Sequence, residues 1–345
     1  MKSILSKNQA SAKYAAMILV AIVLPLFFAN QPFTINLFIM ILMYAYLGTC
    51  WNILGGITGQ FSLGHVAYMG IGAYTSSILV IQYNVTPWVG MFVGAVMAVI
   101  LSLIIGLPCF KLKAAYYSMA TMGVAEAIRM LVSATNNIGP IQIKAGQGLM
   151  VPLRHHDPLY YQFVDKIYYY YVILGLTILG IGVYILITKT RLGFYFRAIN
   201  ASNEGAAALG VNTAFYKQVS AAISAALTAL GGTFYAQYIL YIDPVSMFGT
   251  NMCMMVVVMA IAGGIGRTFG PLVGSIILTP IYVLFNAWLG GNYTGTHLVI
   301  YGLVIILILL YLPGGILSLF DVWENKLNKK KAAKAASKIG GGVNG

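Results

Sequence analysis

Long apolar runs separated by short polar stretches make up most of this chain, and the polar interruptions carry most of its information. A bilayer-crossing helix needs roughly 20 apolar residues, within a range of about 17–25. Runs of that kind fall near 14–30, 37–54, 65–82, 88–110, 115–133, 167–187, 218–238, 251–262, 271–289 and 297–312. The eighth is too short to cross alone unless residues before it join in. The pattern predicts an all-α, polytopic integral membrane protein of about ten transmembrane or re-entrant helices. A terminal segment 1–13, a transmembrane domain 14–320 and a basic tail 321–345 follow from the same division. The first run lacks a small-x-small cleavage site, so it is expected as a retained helix and not a signal peptide.

Two glycine-rich interruptions break the helical pattern. GGITGQFSLGH (55–65) lies between the second and third runs, and GGIGRTFGP (263–271) between the eighth and ninth. A third, DPVSMFG (243–249), precedes the short eighth run. Non-helical backbone at membrane depth survives only inside protein or along a water-filled cavity. Paired glycine-interrupted segments in two halves point to an internal repeat and a transport path. On that reading Gln60, Ser62, His65 and Ser246 are candidate path residues; the alternative is two ordinary tight turns between helices.

Charge sets the orientation. The chain is 60% hydrophobic and 8% charged, with net charge +13, and its mean hydropathy is +0.84, far from a soluble domain. Such a positive balance would suit nucleic acid, but its placement does not. Six lysines lie in the last twenty residues and others flank apolar runs, the mark of cytoplasmic loops. With the N-terminus in the cytoplasm, 16 of the 20 cations fall inside. Both termini are therefore expected to be cytoplasmic.

The longest basic loop, 188–217, carries Lys189, Arg191, Arg197 and Lys217. At its centre a short helix is expected over 203–210, with Ser202 as cap, Glu204 in the first turn and Gly210 as terminator. A capped helix in such a loop reads as a docking element; the alternative is a solvated loop with one helical turn.

Catalytic chemistry finds few residues to stand on. No lysine follows a glycine, so a phosphate-binding G-x-x-x-x-G-K-[ST] loop is absent. The seven acids form no cluster, and the adjacent His155 and His156 lack metal-ligand spacing. Cys50, Cys109 and Cys253 sit in apolar runs as small core residues. Glu126 and Arg129, three apart in the fifth run, share a helix face and can neutralise one another. An intramembrane acid is a functional candidate by default; a locking ion pair is the structural alternative.

Five segments, in order, resemble branched-chain amino acid ABC transporter permeases. They are ILGGITGQFSLGHVAYMGIGAYTSSIL (53–79), YYSMATMGVAEAIRMLVS (116–133), AGQGL (145–149), RLGFYFRAINASNEGAAALGVNTAFYK (191–217) and MVVVMAIAGGIGRTFGPLVGS (255–275). The likeness favours the longer, M-type, member of the two paired permeases. It implies a second related permease, two cytoplasmic ATPase subunits that use ATP and Mg, an extracytoplasmic binding protein, and the bacterial inner membrane as location. The chain itself would bind no cofactor and no nucleic acid. The resemblance makes 191–217 the coupling segment, with Arg191, Arg197, Glu204, Ala206, Ala207 and Gly210 facing the ATPases. Gly205 and Ala208 depart from the family pattern, where a larger apolar residue and a charged one are common. Cargo stays open among branched-chain amino acids, urea, short amides and aromatic acids. An ion-coupled secondary carrier using Glu126 is the rival of a different class.

Overall fold

The computed structural model describes residues 19–28, 30–112, 114–138, 141–143, 148–153, 157–289, 296–312 and 314–319. The terminal segment 1–13, the basic tail 321–345 and the His155–His156 pair lie outside them. After a first helix α1 (19–27) come α2 (Pro32–Asn52), α3 (His65–Tyr83), α4 (Pro87–Cys109), α5 (Ala114–Ala134) and α6 (Lys166–Lys189). Then follow α7 (Arg191–Ala201), α8 (Asn203–Ala208), α9 (Thr213–Ile239), α10 (Pro244–Phe248), α11 (Thr250–Gly264), α12 (Gly270–Leu289) and α13 (Thr296–Tyr311). Proline opens α2, α4 and α10, where its missing amide costs nothing. Every expected apolar run from the second to the tenth coincides with a helix. Six described segments are long and apolar enough to cross a membrane, among them Pro32–Ile57 and Thr213–Ile239. The short eighth run is lengthened by α10, which joins α11 through extended backbone at Gly249, and Pro244–Gly264 together reach crossing length.

The bundle is built around α2 and α9. Buried residues fill 83% of the apolar window of α2 and 67% of that of α9, against 33% for α6, so α6 stands at the periphery. On one side α3, α4 and α9 pack together; on the other, α2 lies among α6, α11 and α12. Small residues let the first group close up. A Cβ on Gly232 would stand 2.0 Å from the Met69 carbonyl oxygen, and one on Gly72 2.2 Å from that of Ala229. The Thr233 hydroxyl donates across the seam to Gly72 O at 3.2 Å. Packing through small residues and interhelical hydroxyl bonds is what holds helices together where lipid offers no hydrophobic gain.

Two ends of the bundle are distinct. At one end sit α7 and α8 with the 53–60, 110–112 and 265–266 segments. At the other, β3 (Leu149–Met150) pairs antiparallel with β4 (Tyr241–Ile242), after a small hairpin of β1 (Asn137–Ile138) and β2 (Ile141–Gln142). There Trp88 Nε1 donates to Pro158 O at 3.2 Å and Tyr160 to Asn84 O at 3.3 Å.

Replacing Gly232 with Val should push α9 off α3. Overpacking of this kind costs typically 1–3 kcal/mol, occasionally more, and here the obstacle is backbone. The expected result is a lower unfolding temperature of the detergent-purified chain; an unchanged temperature would contradict the tight α3–α9 contact.

Candidate functional site

The two glycine-rich interruptions meet. Helix α2 ends in a π-helical turn, Ile53–Ile57, a geometry frequent at functional sites. Asn52, fully buried just before it, reaches over to the second interruption. Its Oδ1 accepts from Gly266 N at 2.8 Å, and its Nδ2 donates to Arg267 O at 2.9 Å. Tyr184 on α6 donates to Gly266 O at 2.7 Å. Contact between the turns is close: a Cβ on Gly56 would lie 2.7 Å from Gly266 N, and Gly266 itself needs the left-handed backbone, φ +72. The segment after α13 seats on the same turn, with Ile316 N donating to Ala262 O at 2.8 Å.

From the π-turn the chain re-enters the bundle. The Trp51 indole donates to Ser62 O at 2.7 Å, Leu63 N donates to Thr121 Oγ1 at 3.2 Å, and Cys253 Sγ donates to Leu63 O at 3.0 Å. Each bond satisfies a backbone group that lipid could not. His65 then starts α3 beside Ser224 (Nε2 to Oγ, 2.7 Å). Ser224 is eleven residues into α9, roughly 16 Å from its start, so α3 begins deep inside the protein. The expectation of non-helical backbone held within protein is met at 58–64.

Of the residues expected along a path, Gln60 is buried and lines the cavity beside α8. Ser62 is 1% exposed. His65 borders an internal cavity of about 10 Å³ with Leu47, Val66, Met69, Thr228, Met252, Cys253 and Val256. That space holds about one water, far less than an amino acid. Ser246 lies at the opposite end, its hydroxyl on Asp243, whose carboxylate caps α10 through Val245 N and Ser246 N at 2.9 Å each. Glu126 and Arg129 form the ion pair expected of them, with Arg129 Nε 3.0 and 2.9 Å from the two carboxylate oxygens. Gln60, Ser62 and His65 thus gather near the re-entrant turn, whereas Ser246 and the ion pair stand apart from it.

The 188–217 segment is more structured than one short helix in a loop. Residues 191–201 form α7, with Gly193, Phe196 and Ile199 facing inward. The spacing i, i+3, i+6 marks this face in the sequence, while the flanking cations suit a loop. Ser202 caps α8 as expected, its Oγ accepting from Gly205 N at 3.0 Å, and Gly210 takes the left-handed backbone at φ +85. Helix α8 ends at Ala208, two residues before the expected terminator. Glu204, Ala207 and Gly210 are exposed, while Ala206 is 4% exposed and faces the protein. Arg191 is exposed, and Arg197 donates to Thr188 O at 3.2 Å.

Asn200, on α7, ties this unit to the membrane core. Its Nδ2 donates to Gly56 O at 3.0 Å, and a Cβ on Gly59 would sit 2.2 Å from its Oδ1. Cavities of about 450 and 490 Å³ open on either side of it. The first is lined by Lys111, Glu204 and the 5%-exposed Lys217. Displacing α7 must therefore pull on the π-turn, and through Asn52 on the second glycine turn. Asn52, Tyr184 and Asn200 escaped the sequence reading; a lone asparagine one residue before the Ile-Leu-Gly-Gly break was the available signal.

Residues 33–309 match the family described as branched-chain amino acid transport system permease component. The chain belongs to that family. It is 24% identical over 302 residues to the high-affinity branched-chain amino acid permease LivM of Escherichia coli K12, covering 82% of this chain and 70% of that protein. It is also 24% identical to LivH of the same strain, over 79% of this chain and 91% of LivH. The nucleoside ABC transporter permease NupC of Lactococcus lactis is 26% identical over 57% of this chain and 64% of its own length. No solved structure matches. As a LivM-like permease with several apolar helices, the protein is a multi-pass membrane protein.

Asn52→Leu keeps the volume and removes both bonds. It would strand the Gly266 amide, at about 1–3 kcal/mol, while the Arg267 carbonyl keeps its bond from Gly270 N at 3.2 Å. Amide exchange at Gly266 should accelerate markedly in the variant; equal exchange rates would contradict the clamp.

Proposed function

We propose that this permease is one translocating subunit of an ATP-driven importer for branched-chain amino acids in the bacterial inner membrane. It works with a second, related permease, two cytoplasmic ATPase subunits and an extracytoplasmic binding protein. The chain lacks a phosphate-binding loop, so energy comes from the ATPases, which hold the ATP and Mg. The observation that carries this reading is the α7–α8 unit. Its outer surface presents Glu204, Ala207 and Gly210, while Asn200, itself exposed, bonds the unit to the end of α2. Such a unit receives force outside the membrane and delivers it inside. Both termini and the 188–217 segment are placed in the cytoplasm, because 16 of the 20 cations then lie inside.

The LivM and LivH names support branched-chain cargo. The nucleoside permease among the relatives supports a second reading in which the same machinery serves another small solute. An ion-coupled carrier would transport alone in liposomes under a gradient, whereas the importer subunit transports labelled leucine only with ATPases, binding protein and ATP.

Orientation is tested by reporters. Fusions within 188–217 should report the cytoplasm and fusions within 140–165 the outside; an external signal from 188–217 would overturn the coupling role.

Coupling is tested on the exposed residues of α8. Ala207→Trp places bulk on the docking surface, and Glu204→Lys puts a cation in the first turn, unfavourable by roughly 0.3–1 kcal/mol. Gly210→Val forces a β-branched residue into the left-handed region, costing about 1–2 kcal/mol. All three should insert and pair with the second permease but retain less ATPase on co-purification and import little. Wild-type uptake in both Ala207→Trp and Gly210→Val would show that α8 is only a connector.

A further inference from the structure

The cavity of about 450 Å³ beside α8 holds charges that the coupling role does not use. Lys217 lines it and is 5% exposed, although it is only the fifth residue of the crossing-length helix Thr213–Ile239. A lysine so near a helix end ordinarily runs its stem along apolar surface and keeps its ammonium in water; this one is enclosed. Among the described residues it has no hydrogen-bond or ion-pair partner. Glu204, the acid on the same lining, forms no ion pair with it. Gln60 lines the cavity as well, 8% exposed, its carboxamide likewise without a partner among the described residues. Lys111 stands at the rim, exposed, just past the end of α4.

Two lysines against one carboxylate leave this lining cationic, and the Gln60 amide adds neutral donors. An enclosed ammonium without a counter-charge is costly, so the cavity is suited to an anion. Its volume falls within the roughly 300–1,000 Å³ of small-ligand sites.

The surface beside the cavity indicates where the anion comes from. Ile100, Ile104 and Leu107 are exposed on α4, and their spacing of four and then three residues keeps them on one helix face. Lys111 follows four residues beyond Leu107. The stripe runs along a helix of crossing length, Pro87–Cys109, and meets the cavity at Phe110 and Lys111. An acyl chain lying on it would present its headgroup to the lysines. Basic pockets between helices at a membrane surface hold lipid headgroups in this way.

We propose that this cavity binds the phosphate of an anionic lipid, held by Lys217, Lys111 and the Gln60 amide, with an acyl chain along α4. Free phosphate shares the oxyanion chemistry; the apolar stripe on α4 assigns the site to the lipid. The lining joins the end of α4 to α7, α8 and the start of α9. A bound headgroup would therefore brace the α7–α8 unit against the bundle, whatever the cargo.

The test uses the full chain purified in detergent, titrated with phosphatidylglycerol or phosphatidylcholine and read by native mass spectrometry. Wild type should retain phosphatidylglycerol about tenfold better, the scale of one hydrogen bond to a charged group. Lys217→Met should remove that preference. Because the substitution takes away an unpaired buried charge, the unfolding temperature without lipid should not fall. Lys111→Gln changes an exposed position and should weaken the preference severalfold, so the outcome does not hang on the folding of one variant. Inorganic phosphate in large excess should leave the retained lipid in place. Displacement by phosphate would give the cavity to a free anion and overturn the lipid assignment. Equal retention of phosphatidylglycerol by wild type, Lys217→Met and Lys111→Gln would overturn the site itself.

Discussion

Asn52 uses its side-chain amide to fasten the end of α2 to a stretch of backbone that no helix satisfies. In a bilayer this is a severe constraint, because an unpaired amide or carbonyl has no water to turn to. The carboxamide accepts from one residue of the 263–271 turn and donates to the next. It does so from the last helical position before the α2 π-turn. The two glycine-rich turns can leave the helical geometry only because this residue, Tyr184 and the re-entrant bonds of Trp51 and Cys253 take up their polar groups.

A mechanical consequence follows from that arrangement. The core helices α3, α4 and α9 are in contact through small residues and yield little, as close-packed interiors do. The turns are held by a few hydrogen bonds. Helix α7 grips the first turn through Asn200, and α8 extends from α7 by a single capping residue, Ser202. Helices α7 and α8 also touch α9, so a push on α8 would act on the bonded turns and on the packed core together. The cavity beside His65 is water-sized, far too small for an amino acid.

Much of this was legible in the sequence for a physical reason. Apolar runs of bilayer length declare themselves, and nine of the expected runs coincide with described helices. The cap at Ser202 and the left-handed Gly210 were equally readable, since each depends on one local residue type. The pairing of Glu126 with Arg129 needed only helical spacing. What escaped was long-range. Asn52 and Arg267 are 215 residues apart, and no local pattern marks an asparagine as the clamp between two turns. Helix α7 was missed because its cations suit a loop, although Gly193, Phe196 and Ile199 share one face. Ala206 was expected to face a partner and instead faces its own chain; a six-residue helix gives too little periodicity to tell its sides apart.

The central claim is that force enters at α8 and reaches the membrane core through the Asn200 to Gly56 bond. The direct measurement is cargo imported per ATP hydrolysed in proteoliposomes holding the complete transporter, comparing wild type with Asn200→Ala. The account predicts that the variant still binds its ATPases and hydrolyses ATP, but imports far less cargo per ATP. An unchanged ratio, with uptake as fast as wild type, would contradict it.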